Sequence, residues 1–163
     1  MKDLIEKLIQ CLREETAHYR NISVLAGQQK EILVSGKVEV LPNNVRLEEK
    51  EVFALGPLVA QRNQLLKDMA KSMGVGTLTL TEAIQRAPIE IVEELKKAVM
   101  DLVQAARSLE DINQGNERLL KNALSYVDFT LKLVADGGKR KAFFPSATIV
   151  NEERKSSFVD KVV

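Results

Sequence analysis

The chain has 163 residues, 24 basic and 23 acidic side chains, a formal net charge of +1, 4% aromatic residues and no tryptophan. That length suits one domain with a buried core, and the near-balanced charge supplies no global field to draw the protein to nucleic acid or to an anionic membrane surface. Scarce aromatics fit long helices packed through Leu, Val, Ile and Ala better than a sheet sandwich, and the one cysteine, Cys11, can form neither an internal disulfide nor a metal cluster.

The opening Met1-Lys2-Asp3-Leu4-Ile5-Glu6-Lys7 mixes both charges into its first turns and has no continuous apolar stretch of the signal-peptide kind. No run approaches the roughly 18 apolar residues of a membrane-spanning helix, so membrane insertion is not expected and the cytoplasm is the expected compartment. The first helix is predicted over residues 3–34. Its stripe is Ile5, Leu8, Leu12, Glu15, Tyr19, Ile22, Ala26, Gln29 and Leu33, flanked by Leu4, Cys11, His18, Leu25 and Ile32. Ser35-Gly36-Lys37 ends it, with Gly36 as a left-handed cap.

Val38-Glu39-Val40-Leu41 alternates like a strand, whereas Pro42 suits the first turn of a helix. A second helix follows over residues 42–73, on Val45, Glu48, Val52, Leu55, Val59, Arg62, Leu66, Met69 and Met73. Gly56-Pro57 lies inside it, and proline removes a backbone hydrogen bond and crowds the preceding turn, which predicts a kink or break near residues 53–56. Gly74-Val75-Gly76 is a linker, lacking the Gly-Lys-Ser/Thr of a phosphate loop. Thr79 and Glu82 have capping-box spacing, so a short helix is predicted near residues 81–86.

The last helix, predicted over residues 88–135, is the longest and would span about 70 Å at 1.5 Å per residue. Its stripe runs Val92, Leu95, Val99, Leu102, Ala106, Leu109, Asn113, Asn116, Leu120, Ala123, Val127, Thr130 and Val134. A sevenfold line of Ile91, Ala98, Ala105, Ile112, Leu119, Tyr126 and Leu133 runs beside it, making an apolar face wide enough for more than one neighbour. Asn113 and Asn116 interrupt the stripe. Such an amide either fixes helix register through a buried hydrogen bond or sits at the seam edge in water.

Asp136-Gly137-Gly138 stops this helix, and the remainder loses helical rhythm. Lys139-Arg140-Lys141 is basic but too short for strong electrostatic binding. Phe143, Phe144, Ile149, Val150 and Phe158 are apolar residues that a solvated tail has no need of, so residues 137–163 are expected to form a flexible tail that folds on a partner. The expected architecture is all-α: a helical bundle over residues 1–136, built as an elongated antiparallel bundle of three long helices with one short helix, followed by that tail.

Catalytic constellations are thin. His18 is the only histidine, no nucleophile and orienting acid accompany it, and a partly buried or edge position is its simplest reading. Glu14, Glu15 and His18 share one face but lack further metal ligands, so they read as a solvated face. A carboxylate-bridged metal bundle would need Glu-x-x-His pairs on two helices. No enzyme, cofactor or metal is expected.

The order of these helices, together with Ile112-Asn113-Gln114-Gly115-Asn116-Glu117-Arg118-Leu119-Leu120 and the downstream Leu124-Ser125-Tyr126-Val127, resembles the FlgN family of flagellar export chaperones. The terminal Arg154-Lys155-Ser156-Ser157-Phe158-Val159-Asp160-Lys161-Val162 is similar to the ending of many members from Gram-positive bacteria. The resemblance implies a cytoplasmic chaperone that holds the hook-filament junction proteins FlgK and FlgL before type III export. It also implies that the C-terminal part engages the client's terminal helical segment, which places client binding on Asn113, Asn116, Leu119, Leu120, Ala123, Tyr126, Val127, Thr130 and Leu133. In that family a tail tyrosine helps docking to the export gate protein FlhA. Here Phe143 or Phe144 occupies the corresponding region and keeps the ring without the hydroxyl. The competing reading is a structural coiled-coil or bundle adaptor that oligomerises through the same stripes and has no export client.

Overall fold

The computed structural model describes residues 2–135. The tail predicted over residues 137–163 lies outside the described residues. Four helices follow one another: α1 (Lys2–Ser35), α2 (Leu41–Ser72), α3 (Leu80–Arg86) and α4 (Val92–Ala135), with one 3-10 turn at Val38–Val40 leading into α2. There is no strand among the described residues, and the all-α bundle expected from helical periodicity is what forms.

Local chemistry sets most boundaries. Gly36 and Gly74 stand at φ +72° and +69°, the left-handed conformation that reverses the chain after α1 and α2 and that side chains with a Cβ resist. The alternating Val38-Glu39-Val40 winds into a 3-10 turn, with Val40 N–H donating to the Lys37 carbonyl, because Gly36 has already turned the chain and Pro42 starts the next helix. At α3 both halves of the capping box are made: the Thr79 hydroxyl accepts from Glu82 N–H at 3.2 Å and the Glu82 carboxylate accepts from Thr79 N–H at 2.8 Å.

Two boundaries differ from expectation. The last helix begins at Val92 rather than at Pro88, because residues 88–91 form a turn in which the Pro88 carbonyl accepts from both Ile91 and Val92 N–H at 3.0 Å. The second helix is unbroken through Pro57. Proline costs one hydrogen bond there, at the carbonyl of Phe53. Phe53 is 84% exposed, which puts the lost bond on the solvent side of the helix, where a freed carbonyl is least costly.

α1 is the shared element. It packs along α2 on one side and along α4 on the other, and α3 closes against α4. Cross-links from Glu15 to Arg62, from His18 to Glu51 and from Leu25 to Asn44 show α1 and α2 running antiparallel. Arg13 to Glu94 and Ala26 to Asn116 show α1 and α4 running parallel, as an up-down-up order requires. Ile5, Leu8 and Leu12 of α1, Met69 of α2, Leu80 of α3 and Leu95 and Leu102 of α4 are sealed in one core. That core fills the end of the bundle where all four helices meet.

A charged pair lies inside it. Glu15 is fully buried and its carboxylate accepts from the Arg62 guanidinium at 2.9 Å, with the Arg62 side chain 6% exposed. This corrects the reading of Glu14, Glu15 and His18 as a solvated face. Glu15 occupies a stripe position, and its charge is tolerated there because Arg62 occupies the facing stripe of α2. Burial pushes the Glu15 carboxyl upward while the guanidinium pulls it back. Beside it, burial and the Glu15 charge raise the Cys11 thiol to about 12, so this cysteine is an inert core residue whose S–H is directed at the Leu58 carbonyl. His18 is half-buried with Nδ1 2.7 Å from the Glu51 carboxylate, which also accepts from the Asn21 amide.

Removing one member of the buried pair leaves the other charge stranded, so Arg62→Leu should lower unfolding free energy by about 3–5 kcal/mol. The double change Glu15→Leu with Arg62→Leu should recover most of that loss, as read by urea unfolding followed by circular dichroism. Glu51 gives a pH test. Its hydrogen bonds from His18 and Asn21 hold its pKa below the ordinary value, so its contribution is present above the unfolded carboxylate range and is lost as pH falls through the folded value. The gap in Tm between the native chain and Glu51→Gln should therefore narrow between pH 6 and pH 3.

Candidate functional site

The parallel α1–α4 register decides which part of α4 is covered. Asn116 is 3% exposed, and its amide donates to the Ala26 carbonyl at 2.8 Å and to Gln29 Oε1 at 3.1 Å. On the opposite side of α1, Asn44 of α2 donates to the Leu25 carbonyl at 3.1 Å and to Gln28 at 3.4 Å. Successive carbonyls of α1 are thus gripped from both neighbours, through lone pairs that the helix ladder leaves free. Each bond forms in only one axial alignment of its helices, so the pair sets register where few large apolar side chains are available to do so. Asn113, three residues earlier on α4, is exposed.

With Ala26 and Gln29 both bonded to Asn116, Ser35 comes level with about residues 122–125 of α4, and beyond that α4 has outrun its partner. The exposure follows this geometry. Leu119 is half-buried, Leu120 is 40% exposed, and Leu124, Val127 and Leu131 rise to 66%, 50% and 61%. Leu120, Leu124, Val127, Leu131 and Val134 stand at steps of four and three on one face of the arm. Seven-residue steps back from Leu120 reach the exposed Asn113, then the buried Ala106 and Val99, so this face lines up with the seam that packs in the lower bundle, with one polar position between them. The arm is the same amphipathic helix with its covering helix missing.

Most of the client-binding residues read from the sequence come together here. Ala123, Tyr126, Val127, Thr130 and Leu133 are all exposed on the arm, with Leu119 and Leu120 at its root. The Thr130 hydroxyl is turned back onto the Tyr126 carbonyl at 2.9 Å. Asn116 stands apart: it is buried and bonded to α1. Leu124 and Leu131 are exposed on the arm as well, outside the stripe that runs through Ala123 and Thr130, and the four-three spacing from Leu120 is the sequence signal that reaches them. Phe143, Phe144, Ile149, Val150 and Phe158 lie outside the described residues.

The fold is an all-α bundle whose longest helix carries an apolar seam that no other described helix covers. The family model described as FlgN protein matches residues 1–143, and the chain belongs to the FlgN family of flagellar export chaperones. Members of that family bind flagellar export substrates. Comparison with curated proteins and with solved structures yields no match. No described helix is long and apolar enough to cross a membrane.

The asparagine contact carries its own test. The buried Asn116 Oδ1 has no hydrogen-bond partner, so an apolar side chain of similar size removes an unsatisfied acceptor together with the register bond. Asn116→Leu should therefore hold Tm within a few degrees of the native chain. Asn116→Asp would set a carboxylate against the Ala26 carbonyl and should cost about 2–4 kcal/mol at neutral pH. Thermal unfolding of the two variants reads both outcomes.

Proposed function

We propose that this chain is a cytoplasmic chaperone for hook-filament junction proteins of the FlgK and FlgL class, holding their terminal helical segment along the arm of α4 before type III export. The observation that carries the reading is the exposed seam of Leu120, Leu124, Val127 and Leu131, joined by Tyr126 and Leu133. A client helix with apolar residues at the same spacing regains there the burial that α1 supplies lower down. No cofactor is needed for such a hold-and-release function. In this reading the tail, through Phe143 or Phe144 with Ile149, Val150 and Phe158, docks the loaded chaperone to the export gate protein FlhA.

The test uses purified chain and a FlgK-class client in a binding titration. Leu124→Asp and Val127→Asp should each weaken the complex by at least about tenfold, since each places a charge in a contact that excludes water. Both side chains are solvated in the free chain, so circular dichroism and Tm should stay close to native. Unchanged affinity would overturn the arm as the client site. Self-association through the arm, with no client bound, would favour a structural bundle adaptor.

A further inference from the structure

The reading of the arm as a client site leaves open where along it a helix sits and which way it runs, and the packed half of the bundle supplies both answers. We propose that the client helix occupies the continuation of the α1 track, parallel to α4, with its N-terminal turn seated on the tip of the α1–α2 hairpin. This rests on the arm reading and adds a second wall, made by Val34, Val38 and Val40, that no sequence pattern assigns to a site.

Three observations converge. The seam lines up: α4 presents Val99 and Ala106 to the core, and the same sevenfold line, after one exposed polar position at Asn113, returns as Leu120, Val127 and Val134 along the last turns of α1 and beyond them. A helix that covers those residues as α1 covers the earlier ones prolongs an interface already built. The hairpin tip, by the Ala26–Asn116 register, stands level with the root of the arm. There Val34, Val38 and Val40 are 68%, 57% and 47% exposed, an apolar group at a place where the chain turns in solvent. Other exposed apolar side chains, Val24, Leu47, Val52 and Phe53 on α1 and α2 and Ile89 and Met100 lower down, lie outside both the tip and the arm; only the tip valines stand at the root of the arm.

Polarity follows from the end of α1. Its last turn has no basic residue, and although the Ile32 carbonyl there accepts from the Ser35 hydroxyl, the negative end of the α1 dipole lies at the hairpin tip, where the client would begin. An incoming helix N-terminus presents free N–H groups and the opposite partial charge. Head-to-tail stacking on α1 is favoured, and a client entering from the other direction would set like partial charges together. The part of α4 beyond the level of Ser35, residues 126–135, is about 15 Å long, which fits an amphipathic client helix of about three turns with apolar residues at steps of three and four and no charge in its seam.

The experiment titrates the full chain with a synthetic peptide of the terminal helix of a FlgK-class protein. The double variant Val38→Asp with Val40→Asp should bind about fivefold or more weakly, at the native Tm, because both side chains are solvated in the free chain. Native affinity in that variant, alongside lost affinity in Leu124→Asp, overturns the hairpin wall and leaves the arm reading standing. Native affinity in both overturns both. A second measurement needs no variant. A nitroxide on the peptide N-terminus should broaden the NMR amide signals of Val34, Val38 and Val40 in the native chain, and broadening of those signals by a C-terminal label instead overturns the proposed direction.

Discussion

The end of α1 at Gly36 is the constraint on which the molecule's organisation depends. α1 is the one helix along which both other long helices pack, so the apolar faces of α2 and α4 are satisfied only as far as α1 reaches. α1 has 34 residues and α4 has 44. α3 packs against α4 at the other end. With Asn116 held against Ala26 and Gln29, the C-terminal turns of α4 run past the hairpin, and with them a seam patterned for burial.

The two ends of the bundle are held by different forces. Near the N-terminus of α1, large aliphatic side chains from all four helices interlock, and the Glu15–Arg62 pair lies within that core. Toward the hairpin the apolar contribution thins to Ile22, Ala26, Leu55 and Leu109, and the asparagines Asn44 and Asn116 take over alignment through bonds to Leu25 and Ala26. Hydrogen bonds of this kind contribute about 1 kcal/mol each to stability, far less than a sealed leucine layer. Their value is directional: slippage by a turn of either outer helix would leave the amide buried without a partner, which is costlier than the bond is favourable. The level at which the arm emerges is fixed by that penalty.

How much of this was readable in advance depended on distance along the chain. Gly36, and the Thr79 and Glu82 cap, act within four residues, and the predicted turns formed there. The three-four rhythm located every long helix because it reports burial averaged over many turns. The start of α4 was misplaced because a proline suits both the first turn of a helix and the turn before it, and the two choices differ by where its carbonyl bonds. Glu15 is the sharper case. Its stripe position announced burial and its charge announced water, and the conflict is resolved by Arg62, which lies on the next helix. Nothing local to Glu15 could have said so, although Arg62 showed the same contradiction on its own stripe, and two such anomalies on adjacent helices are a signature of a buried pair. For the arm, the apolar residues were visible, but their exposure depended on the α1–α4 register, which is set by contacts between residues far apart in the chain, Asn116 to Ala26 among them.

The arm's own chemistry argues that its helix is conditional. Between residues 121 and 135 stand Tyr126, Val127, Phe129, Thr130 and Val134, aromatic or β-branched residues that lose side-chain freedom against the preceding turn and rank in the lower half of helix propensity. An isolated segment of that length is marginal in water even with favourable composition. Local support is modest: an exposed Glu117–Lys121 pair at 3.0 Å, which contributes about 0.3–0.5 kcal/mol, and back-bonds from Ser125 and Thr130 to carbonyls four residues earlier. What keeps the arm helical is propagation from the packed turns below Asn116, since adding a residue to an existing helix avoids the cost of nucleation. β-branched and aromatic side chains that weaken a solitary helix are also those that gain most from a flat partner surface. A helix covering the seam would supply the packing that propensity withholds, so ordering of the distal turns and partner binding are expected to be coupled, and release would leave behind an arm that frays from its tip toward Asn116.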